Sequence, residues 1–429
     1  MIKSILITFL FVSTVFSQTK IYTVDELILQ AIKNSPDINI SKLNLEASKQ
    51  RKKQAFSGYL PKIDLNAKTS YVNFQDAPLI NNTDDTTISG DITLNQLLYD
   101  FGKTSGLTKS YENEKKAFNE ALREQIILKK RDVKLAYYNI LKNLALINVN
   151  KENIKLNKAQ LNRSKKYFEA GIRTKIDISD AEVRVVKAEI TLKTSQYNLK
   201  NSYAILDRIV GFSDITTEYK VYKKSVNLEN GIYNTLPNYD MDMSEAIIYA
   251  YKNRPELLKY MYTIKSNKEL QKSYKSKYYP SFYFDSNYEK ILAKKYKNLL
   301  NKEQYTFGVY LNWNLYTGGF DKAKIQEQAI LTSKSSSIYK QTQLKIKEEV
   351  TKAYVELNKI KENVLLSQNL LKLSKEKFIQ ITKQYKHGLS DYIELQEARQ
   401  GYIDAKSNLI ISYYNYYSAM AILDAAIGR

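Results

Sequence analysis

The sequence predicts a mainly α chain with a small β part, built from long helical hairpins laid down twice. Three observations predict it. Landmarks in the first half return in the second in the same order. Apolar residues recur every seventh position through very long stretches. Only 13 Gly and 6 Pro fall among 429 residues, which suits uninterrupted helices and not an all-β chain.

The duplication is legible residue by residue. Asn34-Ser35-Pro36 returns as Asn253-Arg254-Pro255, and Tyr59-Leu60-Pro61 as Tyr278-Tyr279-Pro280, both 219 residues on. Leu98-Tyr99-Asp100-Phe101-Gly102 reappears as Leu315-Tyr316-Thr317-Gly318-Gly319, and Phe168-Glu169-Ala170-Gly171-Ile172 as Tyr385-Lys386-His387-Gly388-Leu389, both 217 on. Ile205-Leu206 and Gly211 match Ile422-Leu423 and Gly428 at the same spacing. So large a unit is not a solenoid repeat of about 20–50 residues. The expected organisation is a signal at 1–17, a first repeat at 18–211, a connector at 212–241 and a second repeat at 242–429.

Residues 1–17 read as a secretory signal. Lys3 gives the positive start, Ile5 to Val15 the apolar stretch, and Val15 and Ser17 the small residues before Gln18. The apolar run is too short for a spanning helix, and no other stretch is long and apolar enough to span a bilayer as one. The chain has no cysteine, which excludes a disulfide framework, a thiol nucleophile, a thiolate metal site and an acyl anchor on cysteine. His387 is the single histidine, so His-rich metal sites and paired imidazoles are excluded by count. The formal charge of +21 comes from lysines spread along the chain. That pattern reads as the solvated face of long helices and not as a nucleic-acid footprint.

Each repeat reads helix, hairpin, long helix, turn, helix. Thr23 with Glu26 three later is a capping-box pattern. The helix it opens breaks at Pro36; a second runs to about Ser57, where Gly58 and Pro61 stop it. Strand signals follow. Ile63, Leu65 and Ala67 alternate with Asp64, Asn66 and Lys68. After the polar loop Asn81-Asn82-Thr83-Asp84-Asp85, Ile88, Ile92 and Leu94 alternate with Ser89, Asp91, Thr93 and Asn95. This predicts a β-hairpin at about 62–101. Its counterpart, at about 281–318, is cleaner: Phe307, Val309, Leu311, Trp313 and Leu315 share one face, and Gly308, Tyr310, Asn312 and Asn314 the other. The apolar run has about the length of a membrane-crossing strand. A hairpin packed on a soluble core is the plainer alternative. Four strands cannot close a barrel alone, and open edges are not tolerated in lipid. Hairpins that span a membrane therefore require several chains to pool them.

From Lys103 to about Phe168 there is no proline and one glycine, Gly106. Ile126, Val133, Ile140, Ile147, Ile154, Leu161 and Phe168 form one column; Gln343, Val350, Leu357, Val364, Leu371, Phe378 and Tyr385 form its counterpart. The returning helices carry Ile178, Val185, Leu192, Leu199 and Leu206, and then Leu395, Tyr402, Leu409, Tyr416 and Leu423. A seven-residue period held this long implies coiled-coil seams. Such a helix is roughly 100 Å long at 1.5 Å per residue. The long helical hairpins, 103–211 and 319–428, imply a hollow or elongated α-barrel or coiled-coil assembly. Its turns at Gly171 and Gly388 lie at one end and its β-hairpins at the other. The polar connector 212–241 reads as a linker packed outside the barrel of helices.

In this order and spacing the chain resembles the TolC-like outer-membrane efflux proteins. The pieces are the Asn-x-Pro helix breaks, the Tyr-x-Pro strand entries at Tyr59 and Tyr278, the Leu-Tyr-Asp-Phe-Gly and Leu-Tyr-Thr-Gly-Gly strand exits, the Gly-Ile and Gly-Leu-Ser tips, and the closing Ile-Leu…Gly. The resemblance implies a homotrimer whose chains give four strands each to a twelve-stranded β-barrel in outer-membrane lipid. Its helices would tunnel through the periplasm. It implies no enzyme and no cofactor. The partners it implies are a periplasmic adaptor (membrane fusion protein) and an inner-membrane pump, RND-type or ABC exporter, in drug efflux or type I secretion. The adaptor would meet the tips, here Gly171, Ile172 and Arg173, and Gly388, Leu389 and Ser390. Acidic rings would narrow the tunnel at Asp177, Glu394 and Glu397, making a cation-selective constriction sensitive to pH or divalent ions. The plainer reading is an acid favoured by the dipole at a helix N-terminus. Tyr385 matches a tyrosine of the family's gate. The family's arginine two after the second tip glycine is Ser390 here, while Arg173 holds the equivalent place in the first repeat. His387 reads as a surface residue.

Rival readings are weaker. No Gly-rich phosphate loop or G-x-S-x-G elbow supports an enzyme. An exported structural coiled-coil protein without a channel would share the signal and the heptads, but needs no hairpin before each long helix. No His or Met cluster supports metal-ion export.

Overall fold

The computed structural model describes residues 20–74, 83–172, 174–213, 219–222 and 231–429. The expected signal, Asn81 and Asn82, Arg173, and residues 214–218 and 223–230 of the connector lie outside them.

The elements run β1 (Lys20–Tyr22), α1 (Val24–Asn34), α2 (Pro36–Phe56), β2 (Lys62–Phe74), β3 (Thr83–Tyr99), α3 (Lys103–Glu169), α4 (Lys175–Val210) and β4 (Tyr219–Val221). The second repeat gives α5 (Met243–Asn253), α6 (Pro255–Lys275), β5 (Ser281–Ala293), the one-turn α7 (Lys297–Leu300), β6 (Lys302–Asn312), α8 (Phe320–Lys386) and α9 (Tyr392–Ile427). The duplication is metric: α3 and α8 have 67 residues each, and α4 and α9 have 36 each.

The repeated landmarks do the same work twice. Asp100 is buried and accepts the N–H groups of Gly102 (3.1 Å) and Thr104 (2.7 Å) at the start of α3. At the start of α8 the residue types are exchanged: Thr317 Oγ1 donates to Asp321 Oδ2 at 3.0 Å. The carbonyl of Tyr59 accepts from Gln96 Nε2 (2.8 Å), and that of Tyr278 from Trp313 Nε1 (3.2 Å). Gly211 ends α4 with φ +81, and a Cβ there would lie 2.9 Å from the Asn34 carbonyl oxygen. Gly428 ends α9 in the same conformation against Arg254. Each Asn-x-Pro corner is thus the seat of its repeat's closing glycine. One position breaks the parallel: Phe101 holds φ +50 where the second repeat has Gly318 at φ +61.

The chain forms two compact units. The first comprises Met1–Pro36, Leu128–Asp240 and Ala353–Ala425. Its core is the expected heptad column: Val133, Ile140, Ile147, Leu357, Val364, Leu371, Leu395, Leu409, Tyr416 and Leu423 are buried. The first column changes character near its tip. Phe168 is 44% exposed, while Asn157, Gln160 and Ser164 are buried. At 3.6 residues per turn a straight helix drifts off a strict seven-residue repeat, and the neighbour across Asn157 is Arg399, so polar residues take the inner face. The connector is less plain than its composition. β4 pairs with β1 in parallel, Ile232 and Leu236 are buried, and Tyr416 Oη donates to the Pro237 carbonyl at 2.5 Å. Strands of three residues carry no periodicity, so sequence patterning does not reveal them.

The second unit comprises Asp37–Ile127, Met241–Lys352 and Ala426–Arg429. It holds a four-stranded antiparallel sheet in the order β2-β3-β5-β6. Gly106 lets α3 cross α6 closely: a Cβ there would meet Glu269 O and Ser273 N at 2.9 Å. Thr83 to Asp85, expected in the loop, belong to β3. Asp85 is buried because its carboxylate accepts the N–H groups of Thr86 (2.7 Å), Lys295 (2.9 Å) and Tyr296 (2.8 Å). Conversely, β6 stops at Asn312, so Trp313 and Leu315 lie past the strand. There the Trp313 indole bonds the Tyr278 carbonyl, and the chain turns toward the Thr317 cap.

Candidate functional site

The pairing register puts the two expected hairpins on one sheet with two different faces. Ile63 opposes Leu94, Leu65 opposes Ile92, and Ile88 opposes Leu292. Phe282 opposes Leu311, Phe284 opposes Val309, and Ser286 opposes Phe307. Cross-strand partners share a face, so these residues make one apolar surface. It is uncovered: Phe307 is 80% exposed and Leu65 75%. A hairpin on a soluble core would bury them.

The other face is polar and tied together. Asn66 Nδ2 donates to Asp91 Oδ2 (2.9 Å), Thr93 Oγ1 to Asn287 Oδ1 (3.1 Å), and Asn95 Nδ2 to Tyr310 Oη (2.8 Å). Aromatic residues bound the apolar band. Tyr288 packs on Tyr305 at 4.6 Å beyond Phe307, next to the Lys290–Glu303 pair. At the other end Phe101 stacks on Tyr279 at 5.2 Å and Trp313 caps Tyr278. Tyr305 to Trp313 is nine residues, about the length of a tilted membrane-crossing strand. The outer edges of β2 and β6 pair with no strand among the described residues.

The tips lie in the first unit. Gly171 and Gly388 have φ +69 and +73, the left-handed conformation their turns require. Ile172 N–H reaches back to the Tyr167 carbonyl, and Leu389 N–H to the Gln384 carbonyl, both at 2.9 Å. Both residues that follow the glycines are bare: Ile172 is 66% exposed and Leu389 78%. Asp177 bonds the Thr174 N–H at 3.0 Å and completes a capping box on α4. Glu394 accepts from Ser390 Oγ at 2.5 Å, while its own N–H donates to Asp391 Oδ1 at 2.8 Å. Each of these acids is thus bonded within its own turn. Glu397 is exposed and makes no hydrogen bond or ion pair among the described residues. Tyr385 is buried beside Tyr392 and Leu395, with Phe378 and Ile381 packed against them. Burial pushes the Tyr392 phenol above its ordinary range. Among the described residues no His, Cys, Asp or Glu cluster could hold a metal.

A second column on α4 was not read from the sequence. Ile176, Val183, Ile190 and Tyr197 stand seven apart and are all more than half exposed. The same seven-residue period marks them.

The comparisons with known proteins agree with this geometry. The channel-forming CusC superposes with a TM-score of 0.82 at 15% identity, covering 94% of this chain and 91% of that chain. The CmeC outer membrane channel of Campylobacter jejuni gives 0.81 at 16%, covering 94% and 85%. The outer membrane protein VceC of Vibrio cholerae gives 0.79 at 12%, covering 94% and 96%. At these identities the likeness establishes the fold: long helical hairpins with a β-barrel part. No curated protein matches the sequence. The family model described as outer membrane efflux protein matches residues 27–212 and 248–429. The match covers most of each repeat, and the chain belongs to the outer membrane efflux protein family, placed in the outer membrane and extending into the periplasm.

Proposed function

We propose that this chain forms a homotrimer whose three sheets close a twelve-stranded barrel, making the passive exit duct of a tripartite efflux or type I secretion system. The observation that carries the reading is the sheet itself: apolar on one face, polar on the other, with both edges open. Lipid accepts no open edge, and copies joining β6 to β2 would remove both. The exposed α4 column supports the same assembly, because a coiled-coil stripe seeks a partner. The helical hairpins would line a tunnel across the periplasm. A periplasmic adaptor would dock on the tips at Gly171, Ile172, Arg173, Gly388, Leu389 and Ser390, where Ile172 and Leu389 offer apolar surface. An inner-membrane pump, RND-type or ABC exporter, would supply the cargo and the energy.

The constriction is proposed at Glu397, with Glu394 and Asp177 beside it. Glu397 is the acid free to face a tunnel, since Asp177 is held in the capping box of α4 and Glu394 by the Ser390 hydroxyl. Tyr385 would act by packing the second hairpin's tip. Conductance of the purified trimer in planar bilayers tests both parts. Discrete cation-selective steps, weakened in Glu394→Gln/Glu397→Gln, are expected. Channels indifferent to that variant would remove the acidic gate and keep the duct. Detergent-free soluble rods without conductance would reject the duct.

A further inference from the structure

Within the first unit, α3, α4 and α9 line a half-open cavity of about 350 Å³. Arg399 and Gln396 line it from α9, Arg184 and Lys187 from α4, and Asn157 from α3. Arg399 is 4% exposed and Gln396 5%. Arg399 Nη1 donates to Asn157 Oδ1 at 3.1 Å; its Nη2 and Gln396 Nε2 are buried donors with no acceptor among the described residues. A buried guanidinium without a counter-charge is strongly disfavoured. Asp404 is the one carboxylate in the lining, and its Oδ1 already accepts from Gln400 Nε2 at 2.8 Å. Burial, with the neighbouring Arg184 and Arg163 charges, pulls Arg399 down to about 10 despite the opposing influence of Tyr392.

We propose that this cavity binds a small phosphate- or sulfate-type oxyanion between Arg399, Gln396, Arg184 and Lys187. Such an anion supplies acceptors for the two orphaned donors and a negative charge for three cationic side chains. Its donors come from both hairpins, so a bound anion would reinforce the Arg399–Asn157 link of α9 to α3. The proposal rests on packing within one chain and is independent of the channel reading.

The test is calorimetry and thermal unfolding of the full chain in detergent, with phosphate exchanged for chloride at constant ionic strength. Saturable phosphate binding and a rise of a few degrees in the unfolding midpoint are expected, as for any ligand held by the native state alone. Affinity should fall at least about tenfold in Arg399→Gln, the loss of one charge-assisted contact. Lys187 is exposed, so Lys187→Gln leaves the core untouched and should still weaken binding several-fold. Glycerol 3-phosphate in place of phosphate separates the sources: tighter binding points to a phosphomonoester, weaker binding to the free ion. Phosphate no better than chloride overturns the proposal, as it would if a neighbouring copy's carboxylate filled the cavity. Equal binding in wild type and both variants overturns it as well.

Discussion

The returning helices α4 and α9 have the same 36-residue length and corresponding seven-residue columns, but different surroundings. In α9, Leu395, Tyr402, Leu409, Tyr416 and Leu423 are all buried. In α4, Val185 and Leu206 are buried, while Ile178, Leu192 and Leu199 are half-buried. α4 carries in addition the bare column from Ile176 to Tyr197. Duplication therefore copied lengths, turns and periods, while neighbours decided which copy is enclosed by its own chain. The less enclosed copy keeps an exposed apolar column of its own.

The largest effect is expected at the bare column of α4. Ile190→Glu should leave each chain folded and abolish the trimer, seen as a drop to monomer mass by light scattering in detergent. A trimer of unchanged mass would mean that the column faces no other copy.

Next in size are paired truncations. Leu409 is fully buried, so Leu409→Ala should cost about 3 kcal/mol, and the half-buried equivalent Leu192→Ala about 1 kcal/mol. Leu423→Ala and Leu206→Ala, both fully enclosed, should cost the same as each other. Denaturant unfolding checks all of them; equal losses at 409 and 192 would erase the difference between the helices.

The caps come third. Thr174→Ala removes the capping box of α4 and should cost about 1 kcal/mol. Ser390→Ala removes the Glu394 bond but leaves the Asp391 cap, and should cost about 0.5 kcal/mol. Amide exchange in the first turn of each helix reads both.

The smallest effect concerns equivalent charges. Lys406 on α9 bonds Glu152 at 2.6 Å with its side chain 16% exposed, whereas Glu189 on α4 meets Lys158 at 2.8 Å in the open. Burial opposes the Lys406 charge, but the Glu152 and Tyr402 contacts outweigh it and raise its pKa. A raised folded value means that the stabilisation is complete below the ordinary lysine range and is lost as pH climbs through that higher value. An alkaline decline in the unfolding midpoint should therefore shrink in Lys406→Met and persist in Glu189→Gln.

Much of this was legible because it is periodic or local. The bounds of α3 follow from an absence of proline and a Gly turn, and the capping box at Thr23 and Glu26 needs four residues. What was hidden is non-local. The β3–β5 pairing, which merges two hairpins into one sheet, joins residues about two hundred apart. The burial of Asn157 and Gln160 depends on a helix from the other repeat. At the tips, the acids Asp177 and Glu394 can be picked out by their distance from each glycine, but their bonds to Thr174 and Ser390 arise from turn geometry.

The unpaired edges of β2 and β6 have a genetic consequence. A barrel closed by identical copies has every seam shared between two of them, so no subunit can fail privately. A variant that spoils only the outer edge of β2 would still fold its helices and still enter assemblies. Expressed beside the normal chain, it should act as a dominant inhibitor, and a minority of defective copies should silence most ducts.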